Sequence, residues 1–265
     1  LQRFMMEEWV ARRISNAHVL KPRIQSRKRN YLYLVTEFVD GQTLTQWMID
    51  NPRPSLETVR GLVEQIANGL QAFHRLEMLH QDLRPDNVMI EATGTAKIID
   101  FGSVRIAGIA DDEAGGGRDI LGTMQYTAPE YFLGDGGSPA SDLFSLGVMT
   151  YQMLTGRLPY GAEVAKTKTR SQQRKLRYRS ALDDNREIPV WIDGALRKAV
   201  HPDPSQRYQE LSEFVFDLRH PNRTFADRAQ TPWMERDPVI FWKVMSAVLF
   251  TIALALLGYL LTHAK

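Results

Sequence analysis

Three oxygen-bearing side chains in the middle of this 265-residue chain have the types and spacing of a site for a hard cation. Asp82 precedes Asn87 by five positions, and Asp100 follows Asn87 by thirteen. Between Asn87 and Asp100, two β-prone runs, Val88–Glu91 and Ala96–Ile99, flank a turn-like segment, which predicts a β-hairpin. The hairpin would return the chain to its starting end and set Asn87 beside Asp100, with Asp82 close by. Converging carboxylate and amide oxygens suit an ion such as Mg²⁺.

These residues lie in two motifs that resemble those of protein kinases. The stretch His80-Gln81-Asp82-Leu83-Arg84-Pro85-Asp86-Asn87 resembles the catalytic loop, and Asp100-Phe101-Gly102 resembles the magnesium-binding segment. The resemblance implies ATP and Mg²⁺ as cofactors and a protein as substrate. It implies that Asp82 accepts the substrate hydroxyl proton and that Asn87 and Asp100 hold the metal. It also places Arg84 near the transferred phosphate. A hairpin with scattered surface acids is the alternative.

Composition excludes several other classes of function. Apolar residues make up 43% of the chain and charged residues 24%, as in a globular protein with a core. The formal net charge of +2 is too small to indicate nucleic-acid binding. The chain has no cysteine, which rules out disulfides and cysteine-ligated zinc, and its six histidines show no metal-ligand spacing.

The first 21 residues have apolar side chains at roughly helical spacing, which predicts a helix. By the resemblance this is the regulatory helix of the small lobe, with Glu7 as the acid that pairs with a strand lysine and Glu8 as the alternative. A plain amphipathic helix is also compatible with the pattern. The glycine-rich loop and the strand lysine of the family should precede this helix, and this sequence does not contain them. We expect the chain to be the C-terminal part of a longer polypeptide; otherwise it lacks these parts and cannot catalyse efficiently.

The run Tyr31–Thr36 is rich in β-formers and is followed by a segment that resembles the hinge between the two kinase lobes. The resemblance implies four residues around the adenine ring. Thr36 would guard the back of the pocket, the backbones of Glu37 and Val39 would bond the adenine edge, and Met89 would form the floor. Ordinary core packing is the alternative for the apolar residues.

The rest of the predicted large lobe is mainly helical. Ser55 caps a long helix with one apolar face, and a second apolar helix opens at Ser141. The resemblance implies that Asp142 braces the catalytic loop and that Arg207 pairs with Glu130.

Residues 103–127 resemble the activation segment, whose end contains Thr123. By the resemblance Thr123 bonds the catalytic aspartate, and with Leu83-Arg84-Pro85 this favours serine or threonine hydroxyls over tyrosine. The residue before Asp82 is Gln81, where the family usually has an arginine that binds an activating phosphate. A neutral amide cannot form that charge-assisted pair, so we expect activity without phosphorylation of the segment.

Lys166–Arg179 contains seven basic residues. Either this is a solvated face, or it docks an acidic partner or an anionic membrane surface.

Val244–Thr262 is a run of nineteen residues without a charge. As a helix it would span roughly 28 Å, close to the hydrocarbon thickness of a bilayer. Arg236 and Lys243 precede the span, so the positive-inside rule places the preceding domain in the cytoplasm. A buried core helix is the alternative.

The sequence therefore predicts an α+β, protein-kinase-like two-lobed fold with a truncated small lobe, a mainly helical large lobe and one C-terminal transmembrane helix. Residues 1–222 would form the kinase domain, 223–238 a linker and 239–263 the membrane anchor. The whole resembles bacterial serine/threonine kinases. A membrane-tethered pseudokinase that acts as a binding scaffold is the alternative function.

Overall fold

The computed structural model describes residues 8–10, 12–23, 31, 33–100, 102, 104–106, 123–225 and 242–252. The chain divides into two compact units, Leu1–Pro221 and Asn222–Lys265. The larger unit contains, in chain order, β1 (Gly41–Thr43), α1 (Leu44–Asp50), α2 (Leu56–His74), β2 (Met78–Leu79), β3 (Val88–Glu91), β4 (Ala96–Ile98), β5 (Arg105–Ile106), α3 (Pro139–Thr155), α4 (Arg170–Gln173), α5 (Ala181–Asp184), α6 (Val190–Ala199) and α7 (Leu211–Arg219). This mixture of helices with a small sheet confirms the predicted α+β class.

The predicted hairpin is confirmed. Strands β3 and β4 pair antiparallel with Val88 opposite Ile98, and β1 adds to the other edge of β3. The turn places Gly94 at a φ of 85°, a left-handed conformation that glycine adopts without steric cost. The side chain of Gln65 on α2 holds both sides of this turn, because it donates to the Gly94 carbonyl and accepts the Ala96 amide. The hairpin is thus fixed to the helix that precedes the site.

Helix α2 begins where the sequence predicts it to begin. The Ser55 hydroxyl accepts the Thr58 amide at 3.0 Å and caps the helix. The predicted apolar face is buried; it comprises Val59, Leu62, Val63, Ile66, Leu70 and Phe73. This face packs against α3, α7 and β4, so α2 lies at the centre of the larger unit.

Helix α3 is buried along nearly its whole length, as expected of a helix that is apolar on all sides. It opens with a capping box between Ser138 and Ser141 and ends at Gly156, whose φ is 70°. A left-handed glycine at this position is a common helix terminator. Helix α3 therefore carries Asp142 near its N-terminal end and Gln152 near its C-terminal end.

The predicted pair between Arg207 and Glu130 is confirmed. The guanidinium donates to both carboxylate oxygens at 2.7 and 2.8 Å, and both side chains are buried. Its remaining donors reach three backbone carbonyls, those of Ala140, His201 and Pro202. All five guanidinium N–H groups are therefore used, which satisfies the charge in the absence of water. Burial alone would raise the pKa of Glu130, but the arginine outweighs it and lowers the pKa.

Two elements predicted in the first forty residues are longer than the structure shows within the described positions. The helix predicted over residues 1–21 is observed, within the described positions, only at 8–10; residues 12–23 form turns and extended chain. The outer edge of β4 explains this, because Ile98 exchanges backbone hydrogen bonds with His18 and Leu20. The strand predicted at Tyr31–Thr36 is reduced to one bridge between Pro22 and Thr36 in the part that is described. Pairing of residues 18–20 with the distant strand β4 has overridden the local helical pattern in the first of these segments.

In the smaller unit, residues 242–252 are helical and exposed. Among the residues that the structure describes, no helix has the length and apolar character needed to cross a membrane.

Candidate active site

Asp82, Asn87 and Asp100 lie together at one end of the hairpin. The Ile99 amide donates to the Asn87 carbonyl at 3.0 Å, which closes the hairpin and sets Asp100 beside Asn87. The Asn87 side-chain amide donates to the backbone carbonyl of Asp82 at 2.8 Å and more weakly to its carboxylate at 3.3 Å. Because the Nδ2 group is used in this way, the Oδ1 oxygen of Asn87 remains as its acceptor for a ligand.

The loop that carries Asp82 is fixed by a single buried carboxylate on α3. Asp142 accepts the backbone amide of His80 through Oδ2 and that of Gln81 through Oδ1, each at 2.9 Å. The predicted bracing role of Asp142 is thereby confirmed. His74, the last residue of α2, also donates to Oδ2 at 2.9 Å. The sequence analysis did not single out His74, whose only signal is its position at the end of the helix that delivers the chain to the loop.

Gln81 has a strained backbone conformation, and the hydrogen bond to Asp142 stabilises it. Its φ is 64°, in the left-handed region that non-glycine residues rarely adopt. Strain of this kind is stored where surrounding contacts over-determine the backbone, and here the contact is the bond to Asp142. The Gln81 side chain is buried, and its Nε2 group has no partner among the described residues.

Burial tunes the titratable groups of the loop in opposite directions. It raises the pKa of the Asp82 carboxyl, and the positive charge of Arg84 offsets only part of this effect. Asp100 adds to the increase because a second negative charge lies nearby. Burial lowers the pKa of His80 despite the acids around it, so its ring is held neutral. Asp82 is therefore a better proton acceptor than an exposed aspartate.

Arg84 is oriented by the loop itself. It lies 3.1 Å from the Asp86 carboxylate, whose other oxygen accepts the Thr45 hydroxyl at 2.9 Å. Thr45 is on α1, so these contacts tie α1 to the catalytic loop. The sequence analysis did not find this link, since nothing local marks Thr45 as a partner of a residue 41 positions away.

The residues predicted to surround adenine are described, and they lie near one ion-pair network. Thr36 forms the bridge to Pro22, Val39 is buried, and Met89 lies on β3 between Thr43 and Lys97. The Glu37 amide donates to the Lys21 carbonyl at 2.9 Å, which leaves the Glu37 carbonyl as the group that could accept from a ligand.

The sequence analysis missed the lysine that fixes Glu37. Lys97 on β4 lies 2.8 Å from the Glu37 carboxylate and 3.1 Å from that of Glu91. Burial would raise the pKa of Glu37, yet Lys97 and the Lys21 amide lower it. These ion pairs thus connect the Glu37 segment to the hairpin whose open end holds Asn87 and Asp100.

Some predicted positions lie outside what the structure describes. These include Glu7, Phe101, Ser103 and residues 107–122 of the predicted activation segment, with the glycine-containing run Ala114–Arg118. Residues 226–241 and 253–263 of the predicted linker and membrane anchor also lie outside the described part of the chain. The backbone of Thr123 opens a 3₁₀ turn that ends at Gln125, and its side chain is not described.

Asn87 and Asp100 have the donor types that fit Mg²⁺. The described residues contain no group of three or more histidine, cysteine, aspartate or glutamate side chains that could enclose a metal. Magnesium does not need such a cage, because it is usually held by one or two carboxylates together with water and substrate phosphates. One carboxylate and one amide oxygen at the open end of the hairpin match that pattern.

Comparisons with known proteins agree with this geometry. The family model for the protein kinase domain matches residues 2–234. The chain is 29% identical to serine/threonine-protein kinase PknL of Mycobacterium tuberculosis over 219 residues, which cover 82% of the chain and 54% of PknL. It is 25% identical to serine/threonine-protein kinase PrkC of Bacillus subtilis over 219 residues, 83% of the chain and 33% of PrkC. The chain thus spans about half or less of the length of these relatives.

Proposed function

The chain belongs to the protein kinase family, and we propose that it transfers the γ-phosphate of ATP to serine or threonine hydroxyls of proteins. One observation carries the proposal: Asp82, Asn87 and Asp100 meet at the end of one hairpin, and the loop that contains Asp82 is held in place by Asp142. A structural hairpin would have no need of a strained loop fixed by a buried carboxylate.

In the proposed reaction Asp82 accepts the proton of the substrate hydroxyl while the hydroxyl oxygen forms a bond to the γ-phosphorus of ATP. The bond from that phosphorus to the β–γ bridging oxygen breaks, and ADP leaves. Arg84 neutralises charge on the transferred group. Asn87 and Asp100 would hold Mg²⁺, which supplies charge neutralisation on the phosphate oxygens when bound. The raised pKa of Asp82 suits its role as proton acceptor.

The nucleotide and the acceptor class follow from the remaining matched positions. We assign Thr36, Glu37, Val39 and Met89 to the adenine pocket, and Glu7 to the pair with a strand lysine. Thr123, together with the Leu83-Arg84-Pro85 stretch, favours serine and threonine. Support for this preference comes from the relatives, which are named serine/threonine-protein kinases.

We also propose that activity is independent of phosphate on the activation segment. The neutral, buried side chain of Gln81 supports this, because it cannot neutralise a phosphate. The Thr123→Ala variant should lose activity, while Ser103→Ala should keep it. Loss of activity in Ser103→Ala with full activity in Thr123→Ala would contradict the proposal.

A membrane location is the last part of the proposal. The kinase domain would comprise residues 1–222, the linker 223–238 and the anchor 239–263, with the kinase domain in the cytoplasm. Support comes from the uncharged run in the sequence and from the exposed apolar side chains of residues 242–252. The protein should stay with membranes after washing with carbonate, and its release into the wash would contradict the anchor.

The decisive experiment measures transfer of labelled phosphate from ATP to a generic protein substrate by the polypeptide that carries this chain. Asp82→Asn should lower the rate at least about a hundredfold, as expected for loss of a general base. Asp135→Asn is the matched control and should keep the rate, because it changes an exposed aspartate whose one ion pair among the described residues is with Arg170 at 3.4 Å. Equal rates for Asp82→Asn and the unmodified protein would contradict the role of Asp82 as base, and no transfer by the unmodified protein would favour a pseudokinase scaffold.

A further inference from the structure

An open cleft of about 580 Å³ lies beyond the C-terminal end of α3. One wall is the segment from Gln152 to Ala162, and the other contains Arg177 and Arg179. The Arg179 amide donates to the Pro159 carbonyl at 2.9 Å, and this bond holds the two walls together. The shape of the cleft is therefore fixed by a backbone hydrogen bond within the larger unit.

The chain from Leu176 to Ser180 is extended, and its side chains alternate between core and surface. Leu176 and Tyr178 point inward against the cluster around Phe144. The Tyr178 ring makes edge contacts with Tyr151 and Tyr160 at 5.8 and 6.2 Å. Because these residues are anchored inside, Arg177 and Arg179 are forced to the outer face. The basic run Lys166–Arg179 is thus partly directed into the cleft rather than spread over solvent.

The lining of the cleft is strongly positive. Its ten described residues include three arginines, Arg157, Arg177 and Arg179, and no acid. Arg157 and Arg179 share one carboxylate, that of Asp184, at 3.1 and 3.0 Å. Arg177 is exposed and forms no ion pair with any residue that the structure describes. Two positive charges in excess of the local acid therefore face the cleft.

A hydrogen-bonded residue connects this cleft to the catalytic loop. The Tyr126 hydroxyl donates to the Gln152 side chain at 2.6 Å, and Gln152 lines the cleft. The Tyr126 carbonyl accepts the Ser145 hydroxyl at 2.8 Å, one turn along α3 from the Asp142 carboxylate that holds the catalytic loop, so Tyr126 also lies close to that loop. A polypeptide whose hydroxyl reaches Asp82 can therefore extend across Tyr126 to the arginines.

We propose that this cleft binds acidic residues that flank the phosphorylated hydroxyl, so that the substrates are acidic protein segments. The inference rests on the proposed kinase function and adds the substrate class to it. Charge complementarity is the reason for choosing a polypeptide carboxylate. Guanidinium groups pair with carboxylates in two-point geometry, and Arg177, which has no ion pair within the described part of the chain, is available for this.

The test compares two peptides with the same central threonine, one flanked by glutamates and the other by glutamines. The kcat/KM ratio of acidic to neutral peptide is measured for the polypeptide that carries this chain, unmodified and with Arg177→Glu or Arg174→Glu. Arg174 is the matched control, because it lies in the same basic run, is exposed and does not line the cleft. In parallel, fluorescence anisotropy measures binding of the acidic peptide with alanine in place of threonine, which needs no catalysis.

We expect the acidic peptide to be preferred about five- to tenfold at low salt, and less at high salt as charges are screened. Arg177→Glu should abolish or reverse the preference, and Arg174→Glu should keep it within about twofold. Efficient transfer without acidic preference, or equal losses in both variants, would overturn the cleft proposal and leave the kinase intact. Binding that depends on Arg177 without any transfer would uphold the cleft and overturn the kinase function. If neither Arg177-dependent binding nor phosphate transfer were observed, the cleft proposal and the kinase function would both be overturned.

Discussion

Replacing Asp142 by asparagine should disable the catalytic loop from a distance. The carboxylate accepts the amides of His80 and Gln81 and the ring of His74. An asparagine offers one acceptor oxygen, and its NH₂ group must face at least one of these donors. The variant therefore loses one or two charge-assisted hydrogen bonds and leaves a buried backbone N–H without an acceptor.

The expected size of the effect follows from these losses. A hydrogen bond to a charged group contributes about 1.5–3 kcal/mol, so the free energy of unfolding should fall by about 2–4 kcal/mol. For a unit of this length each kcal/mol lowers Tm by about 2–4 °C. The loop would also relax away from the strained φ of Gln81, which displaces Asp82. Misplacement of a catalytic group by about 1 Å can reduce the rate about a hundredfold, so we expect kcat to fall about 10- to 100-fold.

The assay combines thermal unfolding with steady-state kinetics on a neutral peptide, well below the Tm of every variant. Asp217→Asn serves as the control, because it also removes a buried carboxylate, one on α7 that accepts the Tyr208 hydroxyl at 2.8 Å. It should lower Tm and preserve kcat. If Asp142→Asn kept kcat within about twofold while losing stability, the bracing would have no catalytic role. Equal losses of kcat in both variants would show that reduced stability alone explains the effect.

Three further predictions concern acid–base behaviour and packing. Activity should rise with pH through a midpoint above the ordinary aspartate value, because burial raises the pKa of Asp82 and only its ionised form accepts a proton; a kcat/KM profile with a midpoint at or below that value would contradict this. Arg207→Lys should lower the free energy of unfolding by about 2–4 kcal/mol in urea titrations, because three ammonium donors replace five in a rigid fork; a loss below about 1 kcal/mol would refute it. The lowered pKa of Glu130 means that its pair stabilises the protein fully above the ordinary glutamate pKa of 4.5 and loses that contribution as pH falls through the folded value. The stability difference between the unmodified protein and Glu130→Gln should accordingly shrink below about pH 4.5 in thermal unfolding experiments, and a constant difference would rule this out.

The elements that the sequence predicted best are those set by local chemistry. The cap at Ser55, the apolar face of α2 and the hairpin from Val88 to Ile98 depend on neighbouring residues, and all are confirmed. The pair between Arg207 and Glu130 is long-range, and it was predicted only because both residues lie in motifs of the family.

The predictions failed where hydrogen bonds to a distant part of the backbone determine the local structure. His18 and Leu20 pair with the edge of β4 almost eighty residues later, and no local pattern encodes that choice. The contacts of His74, Thr45 and Lys97 were missed for a related reason. Each is an ordinary residue on a helix or strand whose partner becomes visible only when the elements pack.

The donors of Arg207 also have a consequence for how fast the larger unit unfolds. They reach Glu130, Ala140 and the adjacent pair His201 and Pro202, so the side chain cannot be buried with its charge satisfied until these three segments have assembled around it. The entropy of closing these loops is lost before the hydrogen bonds of Arg207 form. We therefore expect these contacts to form after the main folding barrier. Substitutions at Arg207 should therefore leave the refolding rate almost unchanged and accelerate unfolding. Arg207 would then slow unfolding and so lengthen the lifetime of the folded unit.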